Sequence, residues 1–398
     1  MEKYGYTDAW KAIIRPPRDE YTDAELGDSE FKIDGKRFQR TDFDLVNDRK
    51  QKLKCSFFEP IKSERPSKEL PCVIYLHGNS SSRVEAIPYY KMLLSSYITM
   101  FCFDFSGSGK SDGEYISLGW WEREDLKTVV DYLRNSGRTS TIGLWGRSMG
   151  AATALLHADR DPSIAGLVLD SPYSSLTKLA EELYKKHAGG VPGFVYSMAQ
   201  WYVKKKIKGA AKFSIDDLAP INHVKKAFIP ALFVVAKNDE LIDPNHGKEL
   251  YEAYAGDKNL IWVDGEHNTP RPEHAINSIY FFFLNTLQVD KLLPGVAMAN
   301  EEKVKNKYKA LRHDIPLAAP QVKKEINQDN MTEEEMIDMA MKLSLKTAEE
   351  EKKAAKNKKP EAKSIESKVL LEEESAPNIP SKNKDKANKV VKPSSKPK

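Results

Sequence analysis

The chain has 398 residues, 40% of them hydrophobic and 10% aromatic, which suits one large globular domain with appendages. Its formal charge of +4 is unevenly placed: residues 301–398 hold 23 Lys and Arg against 18 Asp and Glu, and residues 1–300 hold 39 against 40. The basic excess therefore belongs to the tail and argues against a nucleic-acid surface on the folded part, while the opening "MEKYGYTDAWKAIIRPP" lacks a signal-peptide core and no apolar run is long enough to span a bilayer.

Residues 1–34 read as a polar, proline-containing lead-in. "RFQRTDFDLVN" and "KLKCSFFEPI" then predict a β-hairpin. From there the chain alternates. "CVIYLHG" predicts a strand, "RVEAIPYYKMLLSS" a helix, "ITMFCFDFSG" a strand and "WEREDLKTVVDYLRNS" a helix. "STIGLWG", "IAGLVLDSP", "AFIPALFVVAKND" and "NLIWVDGEH" predict further strands, with helices over "SMGAATALLHAD", "HGKELYEAYA" and "PEHAINSIYFFFLNTL". Short apolar strands alternating with helices give an α/β fold, a mainly parallel sheet covered by helices on both faces with the hairpin antiparallel at one edge. A helical excursion at about 174–218, with a Gly-Gly-Val-Pro-Gly hinge inside it, interrupts the rhythm and reads as a cap over the C-terminal edge of the sheet. Cys55, Cys72 and Cys102 lie in apolar runs without metal-ligand spacing and read as buried reduced thiols, which fits a cytosolic or nuclear compartment, with the cytoplasm as the default.

The chemistry concentrates at "GLWGRSMGAA". Ser148 stands between Gly146 and Gly150 where a strand passes into a helix. A serine becomes a nucleophile only when a base takes its proton and fixed donors receive the oxyanion. A sharp strand-to-helix turn lifts its side chain above the sheet, and flanking glycines avoid clashes there. Asp239 after "LFVVAKN" and His267 after "WVDGE" follow in the order serine, acid, histidine, each just past a strand. Upstream, "VIYLHGNS" ends a strand, so the backbone N–H of Asn79 can pair with that of Met149 as an oxyanion hole. Asp243 and Asp170 stand as rival acids and His274 as a rival base, and His77 reads as structural. Trp120 and Trp121 read as core or crevice residues. A phosphate-loop reading of "SGSGKSDG" fails, because Asp104 occupies the position where that motif needs glycine.

Residues 35–288 resemble an α/β-hydrolase of the serine-aminopeptidase-like (S33) and cinnamoyl-esterase-like branch, on "YLHGNSSS", "FDFSGSGKSDGE", "GLWGRSMGAATAL", "AKNDELI" and "GEHNTPRP". The resemblance implies a serine hydrolase acting on an ester, thioester or amide of a small-molecule or acylated substrate, with no cofactor. A non-catalytic adaptor using the same fold as scaffold is the competing class.

Beyond a linker at 289–330, residues 331–351, "MTEEEMIDMAMKLSLKTAEEE", predict an amphipathic helix with acids in its first turn and one apolar face. The stretch resembles a ubiquitin-interacting motif, which implies Glu333, Glu334 and Glu335 as electrostatic contacts, Met336, Ala340 and Leu343 as apolar contacts and Ser344 as the polar one. Thr347 departs from the pattern, where an acid is usual, and a helix packing back on the hydrolase domain is the alternative. Residues 352–398 are lysine-rich and too poor in apolar side chains to fold, so they read as a disordered tail.

Overall fold

The computed structural model describes residues 9–187 and 193–292. The linker from residue 293 on, the motif-like stretch with Glu333, Glu334, Glu335, Met336, Ala340, Leu343 and Ser344, and the lysine-rich tail lie outside the described residues, as does most of the Gly-Gly-Val-Pro-Gly hinge.

A nine-stranded sheet forms the centre. In chain order the strands are β1 (Glu30–Ile33), β2 (Lys36–Val46), β3 (Lys52–Pro60), β4 (Leu70–Leu76), β5 (Thr99–Phe103), β6 (Thr139–Arg147), β7 (Gly166–Asp170), β8 (Ala231–Ala236) and β9 (Lys258–Val263). Their spatial order is β1-β2-β3-β5-β4-β6-β7-β8-β9, antiparallel from β1 to β5 and parallel from β5 to β9. The parallel strands β4, β5, β7 and β8 are buried along their whole length, which is why they read as unbroken apolar runs rather than alternating ones.

The helices are α1 (Ala9–Ile14), α2 (Tyr90–Leu94), α3 (Glu122–Asn135), α4 (Met149–Ala158), α5 (Leu176–His187), α6 (Gly193–Ala211), α7 (Pro244–Ala253), α8 (Glu273–Thr286) and α9 (Val289–Leu292). Side chains alternate across the sheet. Val73 and Tyr75 of β4 pack in one core with α2, α8 and α9, and Cys72, Ile74 and Leu76 pack in the other with α3, α4 and α7. The α/β architecture with helices on both faces is therefore as the alternation implies.

The helix expected over 83–96 is broken. Pro88 separates a short 3-10 turn at Arg83–Ala86 from α2, because proline cannot continue the hydrogen-bond ladder. The lead-in also holds more structure than its polarity suggests. Trp10 and Ile14 of α1 are buried with Leu176, Leu179 and Leu183 of α5, Tyr202, Val203 and Ile207 of α6, and Leu156 of α4. This third core joins the excursion at 174–218 to the outer side of α4 and to Leu241 and Ile242 beyond β8. Trp121 belongs to its border, donating its indole N–H to the Ala211 carbonyl at 2.9 Å, and Arg123 stacks on Trp120 at 3.6 Å from the ring centre.

Cys55, Cys72 and Cys102 are buried and unpaired. Burial pushes all three thiols up, Cys72 to about 12. No helix among the described residues is long and apolar enough to cross a membrane.

Leu144 sits fully buried in the central strand β6. Leu144→Ala leaves a cavity that close-packed neighbours fill only in part, and urea unfolding should show stability lowered by roughly 2–5 kcal/mol.

Candidate active site

The geometry starts from a backbone that two glycines make possible. At the end of β6, Ser148 adopts φ 52°, ψ −116°, a left-handed conformation that costs a non-glycine residue on the order of 1–3 kcal/mol. Its N–H donates to the Asp170 carbonyl at the end of β7, 2.8 Å away, and its carbonyl accepts from Ala152 in the first turn of α4 at 3.0 Å. A Cβ on Gly146 would stand 2.4 Å from the Gly150 carbonyl group, and a Cβ on Gly150 would stand 2.0 Å from the Leu76 oxygen of β4. Any side chain at either position would force α4 away from the sheet. The sharp turn thus needs both glycines.

Ser148, Asp239 and His267 come together at the C-terminal edge of the parallel strands, although 119 residues separate the serine from the histidine. The Ser148 Oγ lies 3.0 Å from His267 Nε2, and His267 Nδ1 lies 2.6 Å from Asp239 Oδ2. Ser148, Asp239 and His267 are 5%, 8% and 4% exposed. The second Asp239 oxygen, Oδ1, accepts the backbone N–H groups of Leu241 at 3.1 Å and Ile242 at 2.7 Å. With one oxygen so held, the other faces the imidazole, and an Nδ1–H donated to it leaves Nε2 free to accept from the serine hydroxyl.

The rival residues are otherwise engaged. Asp170 accepts twice from Arg271 Nε at 2.9 Å. Asp243 caps α7, accepting from Asn245 N–H at 2.8 Å. His274 is exposed on α8. His77 accepts the Phe105 N–H on Nε2 at 3.1 Å and donates from Nδ1 to the Gly78 carbonyl at 2.7 Å, a structural role.

Asn79 and Met149 occupy matched places. Leu76 of β4 pairs with Gly146 of β6, so each residue lies three positions past that pairing on neighbouring chain segments, at the point where Gly150 meets the β4 carbonyls.

Sequence reasoning missed the residues that fix these loops, because single charged side chains carry no pattern. Arg147 donates to Glu85 through Nε at 2.7 Å and through a terminal nitrogen at 3.1 Å, and its other terminal nitrogen reaches the Asn268 side-chain oxygen at 3.0 Å. Glu85 also accepts from the Gly78 N–H at 3.2 Å and the Tyr75 hydroxyl at 2.9 Å. One ion pair therefore ties together the loop after β4, the serine turn and the residue next to His267. On the other side Arg271 holds the histidine loop by donating to the carbonyls of His267 at 3.1 Å and Thr269 at 2.9 Å while it pairs with Asp170.

Burial alone would push the Glu85 carboxyl up, but the Arg147 guanidinium outweighs it and holds the group at about 2 instead of the ordinary 4.5. A carboxyl held down in the folded state contributes stability that is complete above its unfolded value and lost as pH falls through its folded one. Wild-type stability should therefore decline as pH drops from about 4.5 towards about 2. Glu85→Gln should lack that share of the decline and, at neutral pH, be less stable by roughly 3–5 kcal/mol because Arg147 is left without its partner. Urea midpoints measured across that pH range check both.

Residues 68–218 match the family model described as serine aminopeptidase, S33, which is less than half of the chain. Among curated relatives, the uncharacterized protein YqkD of Bacillus subtilis is 30% identical over 201 residues, 49% of this chain and 64% of that protein. The lysophosphatidylserine lipase ABHD12 of Xenopus tropicalis is 29% identical over 206 residues, 49% of each chain. The chain thus spans less than two thirds of the length of either. Among solved structures, the Pyrococcus furiosus esterase Pf2001 superposes with a TM-score of 0.51 at 23% identity, over 69% of this chain and 99% of that one. Sheet order, helical layers and these likenesses agree: the chain has the α/β-hydrolase fold, and its residues 68–218 are similar to the serine aminopeptidase, S33 family.

Proposed function

We propose that the protein is a serine hydrolase of the esterase type, with Ser148 as nucleophile, His267 as general base and acid, and Asp239 as the group that orients the imidazole. The observation that carries this reading is the continuous hydrogen-bonded chain from Ser148 Oγ through both nitrogens of His267 to Asp239. Family likeness supports hydrolysis as the reaction class, and the name of the Xenopus relative puts esters first among candidate substrates, ahead of thioesters and amides.

In the proposed cycle His267 Nε2 takes the serine proton as Oγ adds to the substrate carbonyl carbon. Asp239 steadies the imidazolium so formed without itself taking the proton. The backbone N–H groups of Asn79 and Met149 receive the negative oxygen of the tetrahedral intermediate, and the latter opens α4, whose N-terminal end favours negative charge. Collapse expels the leaving group, which takes its proton from His267. Water then enters, gives a proton to Nε2 and attacks the acyl carbon, releasing the acid and restoring the serine. The strain at Ser148 serves this cycle by aiming Oγ at the imidazole before substrate arrives.

We place the protein in the cytoplasm, a reading supported by its three buried unpaired thiols. The tail proposal is separate: residues 331–351 bind ubiquitin through Glu333, Glu334, Glu335, Met336, Ala340, Leu343 and Ser344, a reading that rests on their sequence pattern.

A series of p-nitrophenyl esters from acetate upwards tests the enzyme. Turnover is expected for the wild type and should fall by about 10⁴-fold or more in Ser148→Ala. Esters left intact by the wild type, or cleaved as well by the mutant, would overturn the assignment. For the tail, isotope-labelled ubiquitin titrated with the full chain should show resonance shifts that Ala340→Asp abolishes; equal shifts from both chains would count against it.

A further inference from the structure

Helix α6 has two faces of different chemistry. Ala199, Tyr202, Val203, Ile207 and Ala211 are buried in the cap core. At about 3.6 residues per turn, Phe194, Ser197, Trp201, Lys205 and Lys208 form a stripe on the opposite side. Phe194 and Trp201 are each 60% exposed, two of the largest apolar side chains open to solvent among the described residues. The stripe is aromatic at the helix N-terminal end and cationic at the other. The helix carries Lys204, Lys205, Lys206 and Lys208 and no Asp or Glu. The Lys205 ammonium lies 4.8 Å from the centre of the Trp201 ring, and that of Lys206 lies 5.2 Å from the Tyr202 ring.

We propose that this outer face of α6 docks the protein on an anionic lipid surface. Charge complementarity selects that occupant. A second copy of the chain, joined face to face, would bring the same lysines together, which costs free energy. An anionic headgroup layer offers them many counter-charges, and lysine stems reach such a layer while keeping their heads in the polar zone. Tryptophan favours the same depth, with its ring against acyl chains and its N–H among headgroups. A helix with exposed aromatics beside lysines fits an interface of this kind, lying in its plane rather than crossing it.

The placement also bears on the site. The core beneath α6 includes Leu241 and Ile242, whose N–H groups hold Asp239. A membrane under the cap would therefore lie against the element that adjoins the acid loop.

Flotation of the full chain with phosphatidylcholine vesicles, with and without phosphatidylserine, tests the proposal. Binding is expected to the phosphatidylserine vesicles only and to weaken as salt is raised. The double substitutions Phe194→Ser with Trp201→Ser, and Lys205→Glu with Lys208→Glu, should each lower partitioning about tenfold or more while turnover of a soluble ester stays within about twofold. Quenching of tryptophan fluorescence by brominated lipid should occur in the wild type and be largely lost in Trp201→Phe. Ser148→Ala should bind as the wild type does, so failure of the esterase reading and failure of this one are separate results. No binding, equal binding to both vesicle types, or binding that survives both double substitutions would overturn the proposal, the last by placing the contact in the lysine-rich stretch 352–398.

Discussion

The site depends on one close approach between backbone segments: the first turn of α4 against the end of β4, where Gly150 meets the Leu76 carbonyl with no room for a methyl group. Because α4 enters so near the sheet, the chain must turn sharply after β6, and Ser148 takes the strained conformation at the corner. The same contact brings the backbone of Met149 close to the segment that carries Asn79. The proposed nucleophile and the proposed oxyanion donors are thus set by one packing constraint rather than by separate devices.

That corner is strained, and ion pairs restrain the loops around it. Arg147 and Glu85 fasten the turn to the loop after β4 and to Asn268, and Arg271 and Asp170 fasten the histidine loop to the end of β7. Both pairs lie largely out of solvent, where an unpartnered charge is costly, so each favours one loop geometry over its alternatives. Asp239 is restrained differently, by two backbone N–H groups on a single oxygen. Each of the three side chains therefore reaches the edge of the sheet with its direction already limited, as a hydrogen-bond relay of three side chains requires.

Most of the fold was legible because burial writes itself into sequence. Strands such as Ala231–Ala236, hidden on both faces, had to be continuous apolar runs, and the helices between them carried a periodic face. That Ser148, Asp239 and His267 would meet was readable because each follows a strand, in the order serine, acid, histidine, at one edge of the sheet. Three things were not readable. Pro88 stopped a helix whose apolar pattern ran on past it. Helix α1 is six residues long, too short to show a period, yet Trp10 and Ile14 anchor it in the cap core. The pairs Arg147–Glu85 and Arg271–Asp170 join residues 62 and 101 positions apart, and nothing in either neighbourhood announces its partner.

The three thiols carry a consequence for selectivity towards electrophiles. A cysteine reacts as its thiolate, and in this chain burial both raises the thiols' pKa values and closes off the approach of a reagent. Serine, ordinarily the weaker nucleophile, is the one placed beside a base at the edge of the sheet. On the proposed assignment the usual order of side-chain reactivity is inverted within a single molecule, and an acylating or phosphonylating agent meets Ser148 before it meets any thiol.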